Sequence, residues 1–224
     1  MSPSSHHRRS GRSEHCPRWR RRAEARPDDI LDAAEACFLE EGYAGATVER
    51  IARGAGISKG AVYLYFESKE AMLVALIRRS VAKLAEAAAA RLDAQGQDED
   101  PVTALREAGG LFRAVLADPH MFAAPRIVLA EAGRFPQLAE IYRREVIDVA
   151  MPAAVRLIRR GQEQGVFRAV DPQVAARSLI GGVLVQALWR SVFARDDEPA
   201  PDPEAFIETH LDIVLNGLCE RKAA

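Results

Sequence analysis

Residues 47–66, TVERIARGAGISKGAVYLYF, decide the fold of the N-terminal part of this 224-residue chain. Thr47 is a good helix N-cap, and the apolar residues that follow it recur at helical spacing. Gly56 suits the left-handed conformation of a sharp turn, and Ser58 can cap a second helix. The stretch therefore predicts a helix-turn-helix, in which the second helix enters the major groove of DNA by its N-terminal end.

The second helix carries side chains that suit contact with DNA. Lys59 supplies a cation, whereas Gly60 and Ala61 are small enough for the backbone to approach closely. Tyrosine hydroxyls can reach phosphate oxygens, and the next helix, beginning after Ser68, offers its N-terminal amides to a phosphate. We therefore expect the DNA-binding residues to be Thr47, Ser58, Lys59, Gly60, Ala61, Tyr63, Tyr65 and Lys69.

The run from Ile30 to Leu76 resembles the DNA-binding domain of TetR/AcrR-family transcriptional regulators. Tyr65 departs mildly from the family, which often has a histidine there. The matching pieces are Ile30-Leu31-Asp32-Ala33-Ala34, Phe38, Glu41-Gly42-Tyr43, Ala46-Thr47-Val48, Ile51-Ala52, Ala55-Gly56-Ile57-Ser58-Lys59-Gly60, Val62-Tyr63, Tyr65-Phe66, Ser68-Lys69-Glu70 and Leu73.

The resemblance implies a homodimeric regulator that binds a palindromic double-stranded DNA operator. It also implies a pocket for a small-molecule effector inside the C-terminal helices, and release of the operator when the fourth helix shifts. Residues 129–138, LAEAGRFPQL, with Tyr142 also resemble the C-terminal domain of one AcrR-like branch. A helical binding bundle without regulatory DNA binding, and a non-specific DNA-compacting protein, are the alternatives.

Composition and periodicity predict an all-α protein, because alanine, leucine and arginine dominate and no strand-like alternation runs far. We expect an N-terminal three-helix helix-turn-helix domain and a C-terminal helical bundle for ligand binding and dimerisation, with about nine helices in all. The expected domains are a disordered basic tail over 1–26, the DNA-binding domain over 27–72 and the helical domain over 73–224.

Charge is unevenly distributed along the chain, whose formal net charge is −1. Residues 1–26 contain eight arginines against two glutamates, whereas residues 27–69 are acidic. DNA affinity must then come from a local face of the head or from the arginine-rich tail, rather than from overall charge. The tail is either a basic arm that contacts DNA or a dispensable segment.

Apolar residues in the C-terminal helices predict a pocket and an interface, although each also suits an ordinary core. The pocket should favour a small apolar or aromatic effector, because few charged residues fall on its faces. Its candidate residues are Phe112, Leu116, Met121, Phe122, Ile127, Leu129, Tyr142, Val146, Val185 and Trp189. The candidate residues of a four-helix dimer interface are Leu179, Gly182, Val183, Gln186, Phe206, His210, Leu211, Val214 and Leu218.

Other chemistry is not indicated by the sequence. It contains no nucleophile elbow, phosphate loop or dinucleotide fingerprint, so we expect no catalytic residues and no cofactor. Cys16, Cys37 and Cys219 are far apart and form neither a disulfide framework nor a metal site. No stretch is long enough to span a membrane, and no secretory signal is present, so a cytoplasmic protein is expected.

Overall fold

The computed structural model describes residues 27–93, 100–195, 197 and 201–219. Over these residues the fold is all-α, as predicted, with nine helices and one isolated β-bridge between Phe167 and Cys219. The expectations for residues 1–26, including the basic arm and Cys16, lie outside the described residues. The helices are α1 (Pro27–Gly45), α2 (Val48–Gly54), α3 (Lys59–Tyr63), α4 (69–93), α5 (101–117), α6 (Pro119–Glu131), α7 (136–163), α8 (172–193) and α9 (Pro203–Leu218).

Four of the five helices that begin in the described part of the C-terminal bundle share one sequence signal at their start. Four helices begin with Asp-Pro, in which the aspartate side chain accepts a hydrogen bond from a backbone N–H of the first turn and proline occupies the first helical position. The four pairs are Asp100-Pro101, Asp118-Pro119, Asp171-Pro172 and Asp202-Pro203. Local chemistry therefore fixes where α5, α6, α8 and α9 begin.

Three long helices each contain a π-helical turn, at Arg78–Ala82 in α4, Arg143–Ile147 in α7 and Trp189–Phe193 in α8. The first two are joined by Arg78, whose Nε and Nη2 donate to Glu145 at 2.7 and 3.0 Å. This ion pair lowers the pKa of the Glu145 carboxyl. Since π turns occur preferentially at functional sites, the junction of α4 and α7 is a candidate position for a functional site.

The head, which we define as residues 27–77, has a closed core. Ile30, Phe38, Ile51 and Leu73 are almost completely buried. Ile127 and Leu138 from the bundle belong to the same cluster. The head core therefore continues into α6 and α7, while the domain boundary after residue 72 stays a prediction.

A second core lies within the bundle, which we define as the described residues from 78 to 219. Leu105, Leu157, Phe167 and Ile207 are almost completely buried there. Among the described glycines, Gly161 has the closest neighbour, because a Cβ added there would lie 2.2 Å from the Phe167 ring. None of the described helices is long and apolar enough to cross a membrane.

Candidate nucleic-acid interface and effector cavity

Three hydroxyl side chains fix the helix starts of the head. Thr47 Oγ1 accepts from the Arg50 amide at 3.3 Å, and Ser58 Oγ accepts from the Ala61 amide at 3.2 Å. Ser68 Oγ does the same for Ala71 at 3.0 Å. Each such cap stabilises its helix by about 1 kcal/mol. Because a cap depends only on neighbouring residues, α2, α3 and α4 begin where the sequence predicts.

The turn between α2 and α3 sets the direction of the recognition helix. Gly56 has φ of 70°, the left-handed conformation that glycine adopts without strain. The Ile57 amide then donates to the Ala52 carbonyl at 2.9 Å. Val62 anchors α3 because it is completely buried beneath the helix. These contacts hold the N-terminal end of α3 at the surface.

Most of the predicted DNA-binding residues lie at that surface. Six are exposed, Ala61 is partly buried and Lys69 is the exception described below. The six exposed residues are Thr47, Ser58, Lys59, Gly60, Tyr63 and Tyr65. The head thus presents two cap hydroxyls, a cation, two phenols and an open glycine backbone around one short helix.

Lys59 is held only loosely by the protein. Its ammonium donates to the Glu49 carboxylate and lies 5.9 Å from the centre of the Tyr63 ring. The pair raises the pKa of Lys59 and lowers that of Glu49, but both side chains are about half exposed. Exposed pairs of this kind contribute little stability, so a phosphate or a base edge can replace Glu49 at Lys59 with little loss.

Lys69 lies in a different environment from the one expected. Its ammonium donates to the backbone carbonyls of Tyr43 and Ala46, both at 2.7 Å, and lies 4.9 Å from the centre of the Tyr43 ring. It therefore satisfies carbonyls at the end of α1 that no intrahelical amide can reach. Lys69 was predicted at the DNA interface because it begins a helix after Ser68, and that local signal could not reveal these carbonyls, which precede it by more than twenty residues.

Two exposed residues of the head were not predicted as contacts. Leu64 is 82% exposed directly after α3. Its irregular spacing between the core-facing Val62 and Phe66 was the available signal. Arg53 is exposed in the last turn of α2, and no hydrogen bond or ion pair links its guanidinium to another described residue. Both are available to DNA.

Tyr43 is one of the points at which the bundle contacts the head. Glu131 Oε1, at the end of α6, accepts from the Tyr43 amide at 2.9 Å. Phe135 packs edge-on against the Tyr43 ring, with centroids 5.4 Å apart. Gly42 makes this approach possible, because a Cβ there would lie 2.6 Å from Glu131 Oε1. His120 at the other end of α6 bonds to the buried Glu35 of α1, so α6 is attached to the head at both ends.

A cavity of about 470 Å³ opens in the bundle between α4, α5, α6, α7 and α8. Its size is that of a small-molecule site. It borders two of the three π turns described above, at Val81 of α4 and at Val146 of α7. The lining residues are Val81, Leu84, Ala85, Phe112, Val115, Phe122, Pro125, Tyr142, Arg143, Val146, Ile147, Ala150, Met151, Arg177, Ile180, Gly181, Val183 and Leu184.

The cavity includes some of the predicted pocket residues and excludes others. Phe112, Phe122, Tyr142 and Val146 line it. The remaining six are elsewhere: Leu116 in the bundle core, Ile127 in the head core, Met121 half-buried, and Leu129, Val185 and Trp189 largely exposed. Periodicity identified the helices correctly, but the face of each helix that meets the cavity depends on its neighbours.

The predicted dimer residues show a similar shift in helical phase. Val183, Leu211 and Leu218 are buried within the chain. Gly182 receives His210 of α9, whose ring would lie 2.3 Å from an added Cβ. The other predicted residues, Leu179, Gln186, Phe206 and Val214, are partly buried. The apolar residues that α8 and α9 leave largely exposed are instead Val174, Val185, Trp189, Val192, Phe193 and Ile213.

Comparison with known proteins places the chain in a family. Residues 30–76 match the family described as bacterial regulatory proteins, tetR family. Residues 103–216, more than half of the chain, match the C-terminal domain of AefR-like transcriptional repressors. The chain belongs to the tetR family of bacterial regulatory proteins, with an AefR-like C-terminal domain. The helix-turn-helix and the C-terminal bundle predicted from the sequence are thereby confirmed.

The relatives include repressors that match the head or most of the chain. The repressor AcnR of Corynebacterium diphtheriae is 44% identical over 64 residues, which cover 29% of this chain and 34% of AcnR. The chain thus spans about a third of the length of the AcnR relatives that it matches. The repressor Rv1474c of Mycobacterium tuberculosis is 28% identical over 204 residues, covering 89% of this chain and 83% of Rv1474c.

Solved structures share the fold over most of the chain. SmeT, the repressor of the Stenotrophomonas maltophilia multidrug efflux pump SmeDEF, superposes with a TM-score of 0.64 at 29% identity, covering 87% of this chain and 91% of SmeT. PfmR, a regulator of the same family from Thermus thermophilus, has a TM-score of 0.65 at 29% identity, covering 86% of this chain and 99% of PfmR.

Proposed function

We propose that the protein is a sequence-specific transcriptional repressor that binds a palindromic operator as a homodimer and is released by a small-molecule effector. The observation that carries this proposal is the exposed N-terminal end of α3, where Ser58, Lys59 and Gly60 stand on a rigidly capped helix. Because bacterial operators lie in the cytoplasm, the protein acts there. A binding role, rather than a catalytic one, is proposed for the cavity.

On the operator, α3 enters the major groove by its N-terminal end. Lys59 exchanges Glu49 for DNA, while Thr47, Ser58, Tyr63 and Tyr65 contact the phosphate backbone. Gly60 and Ala61 allow close approach of the helix backbone, and Leu64 can pack on a thymine methyl group. Lys69 contributes indirectly, because it fixes the end of α1 against α4.

Dimerisation is proposed through the exposed apolar face of α8 and α9. Val185 is 61% exposed and Trp189 lies one turn further on, beside Phe193 at a ring distance of 5.8 Å. A second copy would cover these side chains and place two recognition helices about 34 Å apart, the spacing of successive major grooves. Sedimentation should show a dimer at micromolar concentration, and a monomer would contradict this part of the proposal.

Effector release is proposed to act through α4 and α6, which both border the cavity and both hold the head. Val81 of α4 lines the cavity, and α4, which is capped by Ser68, is the next helix in the chain after the recognition helix. Phe122 and Pro125 of α6 also line it, and α6 ends at the Glu131 contact with Tyr43. An effector that prefers a different arrangement of these helices lowers operator affinity.

The cavity suits a small, largely apolar or aromatic effector, because most of its lining side chains are apolar. The related repressor SmeT has been solved in complex with triclosan, at 28% identity to this chain and a TM-score of 0.66. That complex supports a small-molecule effector for this chain without identifying it.

Selection of bound fragments from the source genome, followed by footprinting, tests the proposal. A repressor of this type should protect a discrete palindromic site. Smeared protection would instead indicate a DNA-compacting protein, and no protection would indicate a binding bundle that does not regulate transcription. Either result would overturn the proposed function.

Lys59→Ala tests the placement of the recognition helix. This substitution should weaken operator binding about tenfold in a gel-shift assay at fixed salt, because it removes a charge-assisted contact. Lys83→Ala is the matched control, since Lys83 is exposed on α4 outside the helix-turn-helix. Equal operator affinity of the two variants would show that Lys59 does not contact DNA.

A further inference from the structure

The polar side chains that line the cavity are two cations and one neutral phenol. They are Tyr142, Arg143 and Arg177, and no aspartate or glutamate belongs to the lining. The remaining lining residues are apolar side chains and one glycine. The cavity therefore combines a largely apolar lining with two arginine side chains, which a purely apolar ligand would not require.

Neither arginine is strongly held by the protein. Arg143 Nε lies 3.5 Å from Asp148 Oδ1, and both side chains of this pair are more than half exposed. Among the described residues, no hydrogen bond or ion pair reaches the guanidinium of Arg177, which is exposed near the start of α8. A ligand anion can therefore bind either guanidinium without first breaking a buried ion pair.

The acidic group nearest to Arg143 in sequence is occupied elsewhere. Glu145 accepts two hydrogen bonds from Arg78 and one from Arg144. Its charge is thus neutralised at the junction of the two π turns and does not balance the arginines of the cavity. The lining itself therefore carries two positive charges and no negative charge.

Tyr142 adds a hydrogen-bond donor to the cavity lining. It precedes Arg143 in the chain and is partly buried, and burial raises the pKa of its phenol to about 12. The hydroxyl therefore keeps its proton at neutral pH. No hydrogen bond from this hydroxyl to another described residue is present, so it can donate to a ligand oxygen.

We propose that the effector of this protein is an amphipathic anion, with an apolar body in the chamber and a carboxylate, or a comparable oxyanion, bound by Arg143 and Arg177. The inference rests on the proposed role of the cavity as the effector site. Planar guanidinium groups bind carboxylates in a bidentate manner, whereas the apolar body gains affinity by leaving water. A cationic ligand of the same size is disfavoured by the same arginines.

Ligands that share one apolar chain and differ in their head group test the proposal. Dodecanoate, dodecan-1-ol and dodecyltrimethylammonium, each below its micellar concentration, are titrated calorimetrically into the full-length protein without DNA. Dodecanoate should bind at least about tenfold more tightly than the alcohol, the effect of one charge-assisted contact, and the ammonium most weakly. Equal affinities, tighter binding of the ammonium, or no binding of dodecanoate would overturn the proposal.

Variants show whether the selectivity comes from the two arginines. The Arg143→Gln, Arg177→Gln double variant should lose the preference for dodecanoate over dodecan-1-ol and keep its affinity for the alcohol. Arg159→Gln, an exposed arginine of α7 outside the cavity lining, is the matched control and should keep the preference. If the control loses the preference for dodecanoate, or if the double variant keeps it, the preference arises from charge outside the cavity.

These experiments distinguish failure of the ligand inference from failure of the proposed repressor function. If dodecanoate binds with the expected selectivity but leaves operator affinity unchanged, the ligand inference stands and effector release by this ligand fails. If the operator is bound and footprinted but the head-group series shows no preference for the anion, the repressor stands and the ligand inference fails.

Discussion

The head and the bundle are both all-α, but the interior of the head is fully packed whereas that of the bundle contains a cavity. In the head, Ile30, Ile51 and Leu73 are completely buried. In the bundle, α4 to α8 surround a cavity of about 470 Å³ that borders two π turns. A rigid recognition surface needs the first arrangement, whereas a ligand-dependent change of shape needs the second. The contacts at Tyr43 and Glu35 join the two regions.

The largest expected effect is on core packing. Phe38→Ala in the head should lower the free energy of unfolding by about 3–5 kcal/mol, because the ring is enclosed and its removal leaves a cavity. Phe112→Ala in the bundle should cost clearly less, because that ring already borders empty space. Urea unfolding of both variants gives the comparison. Equal losses would mean that the cavity is closed in solution.

Lys69→Ala should have the next largest effect on stability. Its ammonium makes two hydrogen bonds to carbonyls that the substitution leaves unpaired, so we expect a loss of about 1.5–3 kcal/mol in thermal or urea unfolding. Lys59→Ala is the control and should change stability far less than Lys69→Ala, because its pair with Glu49 is exposed. A stable Lys69→Ala variant with weakened operator binding would instead return Lys69 to the DNA interface.

Gly42→Ala should strain the junction between head and bundle. Gly42 has φ of 73° and ψ of 162°, a region that is essentially restricted to glycine. We expect a loss of about 1–3 kcal/mol and weaker operator binding, because the added methyl also displaces Glu131 from the Tyr43 amide. Gly133→Ala, where a Cβ meets nothing within 4 Å, should be tolerated. Similar stability of both variants would show that the kink is not required.

The smallest expected effect is a pH dependence at the second contact between head and bundle. The hydrogen bond with Glu35 raises the pKa of His120 above its ordinary value, with Asp118 and Asp32 adding to the shift. Arg79 also faces Glu35, at 3.6 Å. The stabilisation should be fully present below about pH 6.5 and should fade as pH rises through the raised value.

His120→Gln removes this titration. Because the His120 side chain is 79% exposed, we expect the variant to differ from the wild type by only a few tenths of a kcal/mol at acidic pH and by less at alkaline pH. Thermal unfolding across the pH range measures the difference. A difference that grows with increasing pH would contradict the assigned direction of the shift.

The sequence by itself determined the helix starts, the turn and the family. Thr47, Ser58, Ser68 and the four Asp-Pro pairs act on amides a few residues away, and Gly56 meets a local backbone requirement, so their consequences can be derived from neighbouring residues. The position of α3 and most of its exposed residues followed from these signals.

The tertiary structure alone decided which face of each bundle helix meets a cavity, a core or the surface. Val185 and Trp189 are exposed although their spacing suits a pocket, and Val183 is buried although it was expected at a dimer interface. Lys69 binds carbonyls at and just after the end of α1, which are separated from it in the chain by α2 and α3. The physical reason is that α8 is apolar around most of its circumference, so only contacts distant in sequence select its orientation.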